Sequence, residues 1–338
     1  MKYSLQGTWM ADIGDGRSYQ MHLPGTLDEN RIGHKDTGTN QWHPDATLGN
    51  KDEPFQSDVI ATRFTRHYTY EGEVRLSRTI DKALWEAVTI EITKGKRLFL
   101  EAERARVLRL LVDGKEVPDF IEPSISTQHI FEVSGLLKRN SKLTLLSNNS
   151  YPNLPYDAIV YSSAATDETQ TNWNGILGYL RLRTEEQSFL DDIRVYPVKN
   201  MLSVKMKLYA NNSYYGKICV HCDALREDAV LNVRTSDAVT ELCLENLELK
   251  EDVKHWDLDE GNLYRLSISM TNGETKTTVF GVRDFGEDGQ GRLAVNDRTI
   301  FLRSEANCAE FPETGYPPMS VEAWLDILNR YHSYGVNC

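Results

Sequence analysis

Residues 299–338 read TIFLRSEANCAEFPETGYPPMSVEAWLDILNRYHSYGVNC, and this stretch decides the fold predicted for the chain. It opens with Thr299–Arg303, a short apolar run of strand character. A loop containing proline and glycine follows from Ser304 to Met319, and a segment with helical patterning comes after it. Val336–Cys338 predicts the start of a second strand. Because a strand–helix–strand unit normally belongs to a parallel sheet covered by helices, the stretch predicts the first part of a barrel that follows accessory domains.

The predicted helix has a start signal, an apolar stripe and a stop signal. Ser320 is its expected N-cap, and Glu322 lies in the first turn, where a carboxylate favours the positive end of the helix dipole. Gly335 occupies the position at which a C′ glycine ends a helix. The apolar stripe consists of Val321, Trp324, Leu325, Leu328 and Tyr331. Without further barrel strands this stripe lacks a full partner, so we expect the helix to be disordered or covered by a neighbouring domain or a second copy.

The chain before this stretch predicts two β-domains, the first over residues 1–186. Short apolar strands alternate with turn residues, and Asp113-Gly114 marks a tight turn between two of them. Apolar and polar residues alternate over residues 88–92, which predicts a half-buried strand. This succession of short strands is typical of a jelly-roll sandwich. A strand-poor insertion over Gly25–Asp58 is long enough to be functional or mobile.

The second predicted β-domain covers residues 187–285. Apolar residues alternate cleanly with polar ones over Leu202–Leu208, and Asn272-Gly273 is a strong hairpin signal. The size and the strand spacing are typical of an immunoglobulin-like sandwich. Residues 286–338 then form the start of the barrel. The predicted fold is therefore mainly β: a jelly-roll sandwich, an immunoglobulin-like sandwich and the first βα unit of an incomplete barrel.

Composition limits the classes of partner. The chain has 338 residues, 40% of them hydrophobic and 26% charged, and a formal net charge of -12. Acidic residues outnumber basic ones and no Lys/Arg cluster dominates a segment, which argues against a nucleic-acid or anionic-membrane surface. No apolar run approaches the roughly 20 residues that span a bilayer. The N-terminal residues MKYSLQGTWM lack the pattern of a signal segment.

The cysteines favour a reducing cytoplasm. Their number is five, which is odd, and they are scattered, unlike a disulfide framework. Cys219 and Cys222 have the spacing of a zinc or redox pair, but further grouped zinc ligands are not evident. Core or semi-buried thiols are therefore the favoured interpretation of this pair.

Four groups of local motifs occur in the order found in one enzyme family. They are LQGTW at Leu5–Trp9 with LPGTLDEN at Leu23–Asn30, DETQTNWNGILG at Asp167–Gly178, FGVR at Phe280–Arg283, and FLR at Phe301–Arg303 with FPETGYPP at Phe311–Pro318. Over essentially its whole length the chain resembles glycoside hydrolase family 2, which comprises β-galactosidases, β-glucuronidases and β-mannosidases. Taken in order, the motifs are specific, although none is decisive alone.

The resemblance implies a retaining β-glycosidase that acts on a carbohydrate β-glycoside without an organic cofactor. Such enzymes use two carboxyl groups about 5–5.5 Å apart, one as acid/base and one as nucleophile. In the family both are glutamates, and the acid/base follows an asparagine in an Asn-Glu pair, which this sequence lacks. We therefore expect both glutamates to lie beyond Cys338 and the chain alone to be inactive. Some family members use Mg²⁺ and Na⁺, but no metal ligand is assignable here.

Six residues are predicted to bind substrate in a complete enzyme: Arg303, Asn307, Asn149, Asn172, Trp173 and Asn174. Arg303 lies at the end of the first predicted barrel strand, where its guanidinium would either hold the nucleophile ionised or form a structural ion pair. Asparagine amides both donate and accept hydrogen bonds, as recognition of sugar hydroxyls requires. Trp173 is equally suited to stack on the face of a pyranose ring and to anchor a domain interface.

Two pairs of neighbouring carboxylates are interpreted as structural. Glu305 and Glu310 flank the first barrel loop but come from the wrong strand for the family, so a solvated or salt-bridged role is expected. Asp28 and Glu29 predict a turn and a cap.

Two further classes of function stay open, namely a non-catalytic carbohydrate-binding module and a scaffold for oligomerisation. A dedicated binding module has no reason to continue into a barrel start, which favours the enzyme. A homo-oligomer is also left open.

Overall fold

The computed structural model describes residues 1–35, 67–124, 127–152, 154–155, 171–258, 260–307, 311 and 313–338. The protein is mainly β, as predicted, and these residues form two compact units. The first unit comprises Met1–Thr184 and Ala306–Arg330. The second comprises Glu185–Glu305 and Tyr331–Cys338. The predicted domain boundaries at residues 186 and 285 stay a prediction.

The first unit is built from short strands. Within its described part they are β1 (Lys2–Ser4), β2 (Gly7–Asp12), β3 (Tyr19–Leu23), β4 (Gly25–Thr26), β5 (His34–Lys35), β6 (Tyr68–Thr69), β7 (Glu73–Thr79), β8 (Arg97–Ala102), β9 (Val107–Val112), β10 (Lys115–Val117), β11 (His129–Glu132), β12 (Lys142–Asn148), β13 (Gly175–Ile176) and β14 (Leu180–Glu185). Two pairs, β4–β13 and β5–β6, stand apart from the larger sheets.

Two antiparallel sheets share one core in this unit. One has the strand order β1-β14-β8-β11, and the other has the order β10-β9-β12-β7-β2-β3. Alternate residues of both sheets point inward and are at most 1% exposed, among them Trp9, Leu76, Leu100, Phe131 and Leu145. Burying a large apolar side chain contributes about 1.5–3 kcal/mol, so this shared core stabilises the unit. The predicted turn at Asp113-Gly114 is confirmed, because both residues have positive φ and join β9 to β10.

A helix, α1 (Lys82–Thr93), replaces the strand predicted over residues 88–92, so that prediction is wrong. Asp81 caps the helix, since its Oδ1 accepts from the Leu84 N–H at 2.9 Å. Leu84, Val88 and Ile92 recur every four residues and pack on the core of the unit. This helical period extends over more residues than the local alternation at 88–92 and decides the structure.

Replacing Asp81 by alanine is expected to lower the free energy of unfolding by about 1 kcal/mol, because an orphan N–H of the first turn loses its acceptor. Urea unfolding followed by circular dichroism measures the change. Lys82→Ala is the matched control, since Lys82 is exposed and makes only a 3.7 Å surface pair with Glu86. Equal effects of the two substitutions would contradict the capping role.

The second unit contains longer strands. In the part that the structure describes they are β15 (Ser188–Val198), β16 (Met201–Ala210), β17 (Tyr214–His221), β18 (Ala229–Thr235), β19 (Val239–Glu248), β20 (Tyr264–Met270), β21 (Thr275–Phe280), β22 (Phe285–Glu287), β23 (Leu293–Val295) and β24 (Arg298–Thr299). The sheets have the orders β15-β16-β19, β18-β17-β20-β21 and β22-β23-β24. The predicted alternation is confirmed, because Leu202, Val204, Met206 and Leu208 are all buried in one core. The Asn272-Gly273 turn joins β20 to β21, as predicted.

The strand predicted over Thr299–Arg303 is largely wrong, because β24 ends at Thr299. The Arg303 N–H donates to the side-chain Oδ1 of Asn337 at 2.8 Å, which interrupts regular backbone pairing. Two backbone hydrogen bonds nevertheless place this segment beside the C-terminus. Asn337 N–H donates to Arg303 O at 3.0 Å and Glu305 N–H donates to Cys338 O at 3.1 Å, with both segments running in the same direction.

The helix predicted before the C-terminus is confirmed as α2 (Val321–Ser333). Ser320 caps its start, since its Oγ accepts from the Ala323 N–H at 3.2 Å. Gly335 has a φ of 78° and donates to His332 O, which is a C-terminal glycine cap. Val321, Leu325 and Leu328 of the apolar stripe are 70%, 51% and 54% exposed. In the ranges described, neither helix has the length and apolar character needed to cross a membrane.

Candidate functional site

Asn149 is the centre of a buried polar cluster in the first unit. It follows β12 directly and is 0% exposed. Its Oδ1 accepts from the Gly72 N–H at 2.9 Å, and its Nδ2 donates to Tyr70 O at 2.9 Å and to Asn172 O at 2.8 Å. The amide therefore connects the segment before β7 with the segment before β13. Each of these bonds satisfies a backbone group that is partly or fully buried.

Asn172 and Asn174 complete this cluster. The Asn172 Nδ2 donates to Asn149 O at 3.1 Å, so the two asparagines bond each other's backbone reciprocally. The Asn174 Nδ2 donates to Gly72 O at 2.8 Å and to Asn149 Oδ1 at 3.2 Å, and its Oδ1 accepts from Ser147 Oγ at 2.8 Å. Three chain segments are thus fixed by side-chain amides rather than by sheet pairing.

Trp173 lies between these asparagines and is only half-buried. The Arg106 guanidinium carbon lies 4.0 Å from the centroid of its ring, which is a close cation–π contact. Arg106 is itself buried and donates to Thr171 O at 3.2 Å. Thr171 in turn donates through its N–H to Gly315 O at 2.8 Å. One face of the indole is therefore covered by a fixed cation.

Four predicted sugar-binding residues, Asn149, Asn172, Trp173 and Asn174, are thus brought together in one place. The side-chain amides of Asn149 and Asn174 already bond protein groups, so a sugar hydroxyl would replace one of these bonds. Their role in holding substrate stays a prediction. What the geometry establishes is that they order the loops on which Trp173 stands.

The other two predicted residues lie outside this cluster. Arg303 is exposed and belongs to the second unit, where its Nε donates to Gly335 O at the end of α2. A guanidinium in contact with this carbonyl interacts favourably with the negative end of the α2 dipole. Asn307 is exposed and belongs to the first unit. Their predicted contacts with substrate are not tested.

The structural role of Asp28 and Glu29 is confirmed. Glu29 Oε2 accepts from the Thr26 N–H at 2.8 Å while Thr26 Oγ1 accepts from the Glu29 N–H at 3.1 Å, which is a capping box. Asp28 Oδ1 accepts from the N–H groups of His67 and Tyr68 at 2.9 and 2.7 Å. Glu310 of the other pair lies outside the described residues, as does the insertion from residue 36 to Asp58, whereas Glu305 is exposed.

A second contact of Glu29 was not predicted. Its Oε1 accepts from the Tyr316 hydroxyl at 2.6 Å. Burial, and then this carboxylate, raise the pKa of Tyr316. Tyr316 lies in the motif FPETGYPP, so the sequence marked the segment but gave no signal of its partner.

A buried ionic cluster in the second unit was also missed. Glu274 is 9% exposed, and its Oε1 lies 3.2 Å from the Lys276 Nζ while its Oε2 accepts from the Leu190 N–H at 3.2 Å. The same Nζ donates to both carboxylate oxygens of Glu185 at 2.9 and 2.8 Å. Burial raises the pKa of Glu274 to about 7, although Lys276 acts in the opposite direction. The Lys276 ammonium thus pairs with the carboxylates of both Glu185 and Glu274.

The thiols and possible metal ligands offer no assembled site in the described ranges. Cys222 is buried and Cys219 partly so, as predicted, and both are free. Burial raises the pKa of the Cys222 thiol. No group of three or more His, Cys, Asp or Glu side chains there is placed to hold a metal ion.

Comparison with solved structures shows the fold. A β-D-mannosidase from Dictyoglomus thermophilum matches with a TM-score of 0.67 and 15% identity over 100% of this chain and 43% of that chain. Bacteroides uniformis β-glucuronidase 2 matches with a TM-score of 0.68 and 14% identity over 100% and 39%. A GH2 β-galacturonidase from Eisenbergiella tayi matches with a TM-score of 0.64 and 16% identity over 100% and 52%.

The chain therefore has the fold of part of these glycosidases and spans about two-fifths to half of their length. No family model matches its sequence, and no curated protein does either.

Proposed function

We propose that this chain is the accessory region of a retaining β-glycoside hydrolase of glycoside hydrolase family 2. Residues 1–186 would be its jelly-roll sugar-binding domain, residues 187–285 its immunoglobulin-like domain and residues 286–338 the start of its catalytic barrel. The observation that carries the proposal is the match of the whole chain to three glycosidases at TM-scores of 0.64 to 0.68. The four ordered groups of motifs support it independently of the fold.

In this proposal the chain positions substrate but does not break the bond. The reaction needs one carboxyl group to protonate the leaving oxygen and a second to attack the anomeric carbon. A pair of this kind belongs to loops after later barrel strands, at the C-terminal face. The cluster around Asn149 would hold the loop bearing Trp173 against the sugar, and Arg303 and Asn307 would contribute from the first barrel loop. The site would be cytoplasmic and would need no organic cofactor.

Turnover assays test the proposal directly. The 338-residue chain is expected to release no nitrophenol above background from nitrophenyl β-mannoside, β-galactoside, β-glucuronide or β-galacturonide. An extended polypeptide, in which a complete barrel with an Asn-Glu pair follows Cys338, is expected to turn over one of them at about 1–1000 s⁻¹. Turnover by the shorter chain, or none by the extended one on any β-glycoside, would refute the assignment.

A non-catalytic carbohydrate-binding role is the second candidate. It is favoured by a cavity in the first unit whose walls combine aromatic, apolar and hydrogen-bonding groups. The two candidates are compatible, since an accessory domain is able to hold a saccharide without cleaving it.

A further inference from the structure

A cavity of about 660 Å³ lies in the first unit. Tyr179 and Tyr316 supply aromatic wall, Pro318 and Met319 supply apolar wall, and the carboxylate-bearing Glu103 supplies a polar group. Small-molecule sites typically have about 300–1,000 Å³ and combine apolar walls with a few fixed polar groups. The volume and the lining therefore suit a small ligand.

The two tyrosines are held in place by partners that are not among the described lining residues. The Arg181 guanidinium carbon lies 3.6 Å from the centroid of the Tyr179 ring, and Arg181 is fixed by Glu101 at 2.7 Å. The Tyr316 hydroxyl is fixed by Glu29, which belongs to the capping box described above. Aromatic groups held in this way lose little conformational entropy when a ligand binds, which favours affinity.

Glu103 is placed by close packing against Gly178. A Cβ added at Gly178 would lie 2.1 Å from Glu103 Oε2 and 2.8 Å from Glu103 O, so only glycine fits there. Gly178 N–H also donates to Glu103 O, and Glu103 N–H donates to Tyr179 O. The Glu103 backbone is therefore fixed to that of Gly178 and Tyr179, and the Glu103 carboxylate and the Gln6 amide both belong to the cavity lining.

The charge of the lining restricts the ligand. Among the described residues that line the cavity, Glu103 is the one charged side chain, and these residues include no Lys, Arg or His. Arg104 Nε lies 3.5 Å from Glu103 Oε1 but is half-exposed and outside the lining. A carboxylate in the wall disfavours an anionic ligand, because like charges repel each other. It accepts hydrogen bonds from hydroxyl groups without this cost.

We propose that this cavity binds a neutral saccharide, with Tyr179 and Tyr316 against its C–H faces and Glu103 and Gln6 on its hydroxyls. The proposal rests on the proposed function for the class of ligand and deepens it, since it gives the accessory region a sugar site of its own. It excludes uronic acids from this cavity, although two of the three similar structures are named for enzymes of uronic acids. The saccharide held here is thus of a different charge class from glucuronate and galacturonate.

Binding of simple glycosides to the 338-residue chain tests the proposal. The probes are the methyl β-glycosides of galactose, glucose and mannose, methyl β-glucuronide and tetramethylammonium, followed by ligand-observed NMR and calorimetry up to about 20 mM. At least one neutral glycoside is expected to bind with a Kd of about 1 mM, and the uronide at least about tenfold more weakly. No neutral binding, equal uronide binding, or stronger binding of tetramethylammonium would each overturn the assignment.

Variants locate the binding. Tyr179→Ala is expected to weaken it at least about tenfold, and the isosteric Glu103→Gln about fivefold, because a charged acceptor becomes a neutral one. Glu103→Gln preserves volume and keeps the test valid if Tyr179→Ala does not fold. Tyr215→Ala is the matched control, since Tyr215 is 84% exposed and belongs to the other unit. Binding that survives both cavity variants would refute the site, while turnover by the extended polypeptide would leave the proposed function standing.

Discussion

Asn149→Ala is expected to destabilise the first unit by about 3–5 kcal/mol, which is a large part of the stability of an ordinary domain. The substitution removes the acceptor of the Gly72 N–H and the donor to the carbonyls of Tyr70 and Asn172. Because the side chain is fully buried, water is not available to replace these partners without opening the structure. The cost of leaving buried groups unpaired exceeds the net gain of forming the bonds.

Thermal and urea unfolding of purified variants measure this effect. Asn148→Ala is the matched control, because Asn148 is the preceding residue and its Oδ1 bonds only the exposed N–H and hydroxyl of Ser150. Its loss is expected to cost about 1 kcal/mol or less. If the free energies of unfolding of Asn149→Ala and Asn148→Ala differ by less than about 1 kcal/mol, the amide cluster does not hold the first unit together. Limited proteolysis provides a second measurement if Asn149→Ala is recovered only in small amounts.

The second unit is expected to lose stability between pH 5 and pH 8 because of Glu274. Its pKa is raised from 4.5 to about 7 in the folded protein, so the folded state binds this proton more tightly than the unfolded state. The corresponding stability is fully present below about pH 4.5 and is lost as the pH rises through 7. One pKa unit corresponds to about 1.4 kcal/mol, so the total effect is about 3 kcal/mol.

Glu274→Gln isolates this contribution. The variant keeps a side-chain oxygen for the Leu190 N–H but has no charge to lose, so its stability is expected to change less with pH. Between pH 5 and pH 8 the free energy of unfolding of the parent should fall by about 2 kcal/mol more than that of the variant. Urea unfolding at each pH measures both. Glu241→Gln on the exposed face of β19 is the control and should show no such difference. Parallel pH profiles for the parent and Glu274→Gln would show that Lys276 keeps both carboxylates ionised at all these pH values.

Local sequence signals predicted the elements that carry their own start and stop residues. Helix α2 lies within one residue of its prediction because Ser320 and Gly335 mark its ends, and the hairpin at Asp113-Gly114 follows from its turn chemistry. The strand predicted over residues 88–92 failed because Val88 and Ile92 also lie on one face of a helix, which leaves Ile90 58% exposed. The longer helical period, together with the Asp81 cap and core contacts made at a distance in sequence, decided between helix and strand.

Long-range polar pairing was beyond sequence reasoning. The motif around Asn172 identified the right segment, but its reciprocal bonds to Asn149 link residues 23 positions apart. Glu29 and Tyr316 are 287 positions apart and were assigned separately to a turn and a loop. Glu274 carries no local sign of burial, because the groups around it include Leu190 and Glu185, which lie 84 and 89 positions earlier in the sequence.

The pairing of β5 with β6 determines how the insertion between them can be engineered. His34 opposes Thr69 and Lys35 opposes Tyr68, and the Asp28 carboxylate bonds the returning backbone at His67 and Tyr68. The chain therefore leaves this pairing at Lys35 and returns to it at His67 and Tyr68, which are held next to each other by hydrogen bonds. Because closure entropy grows only slowly with length, each doubling costs about 0.6 kcal/mol. Lys35 and His67 are thus suitable junctions for a flexible replacement segment, because the closure cost of such a segment would change only slowly with its length.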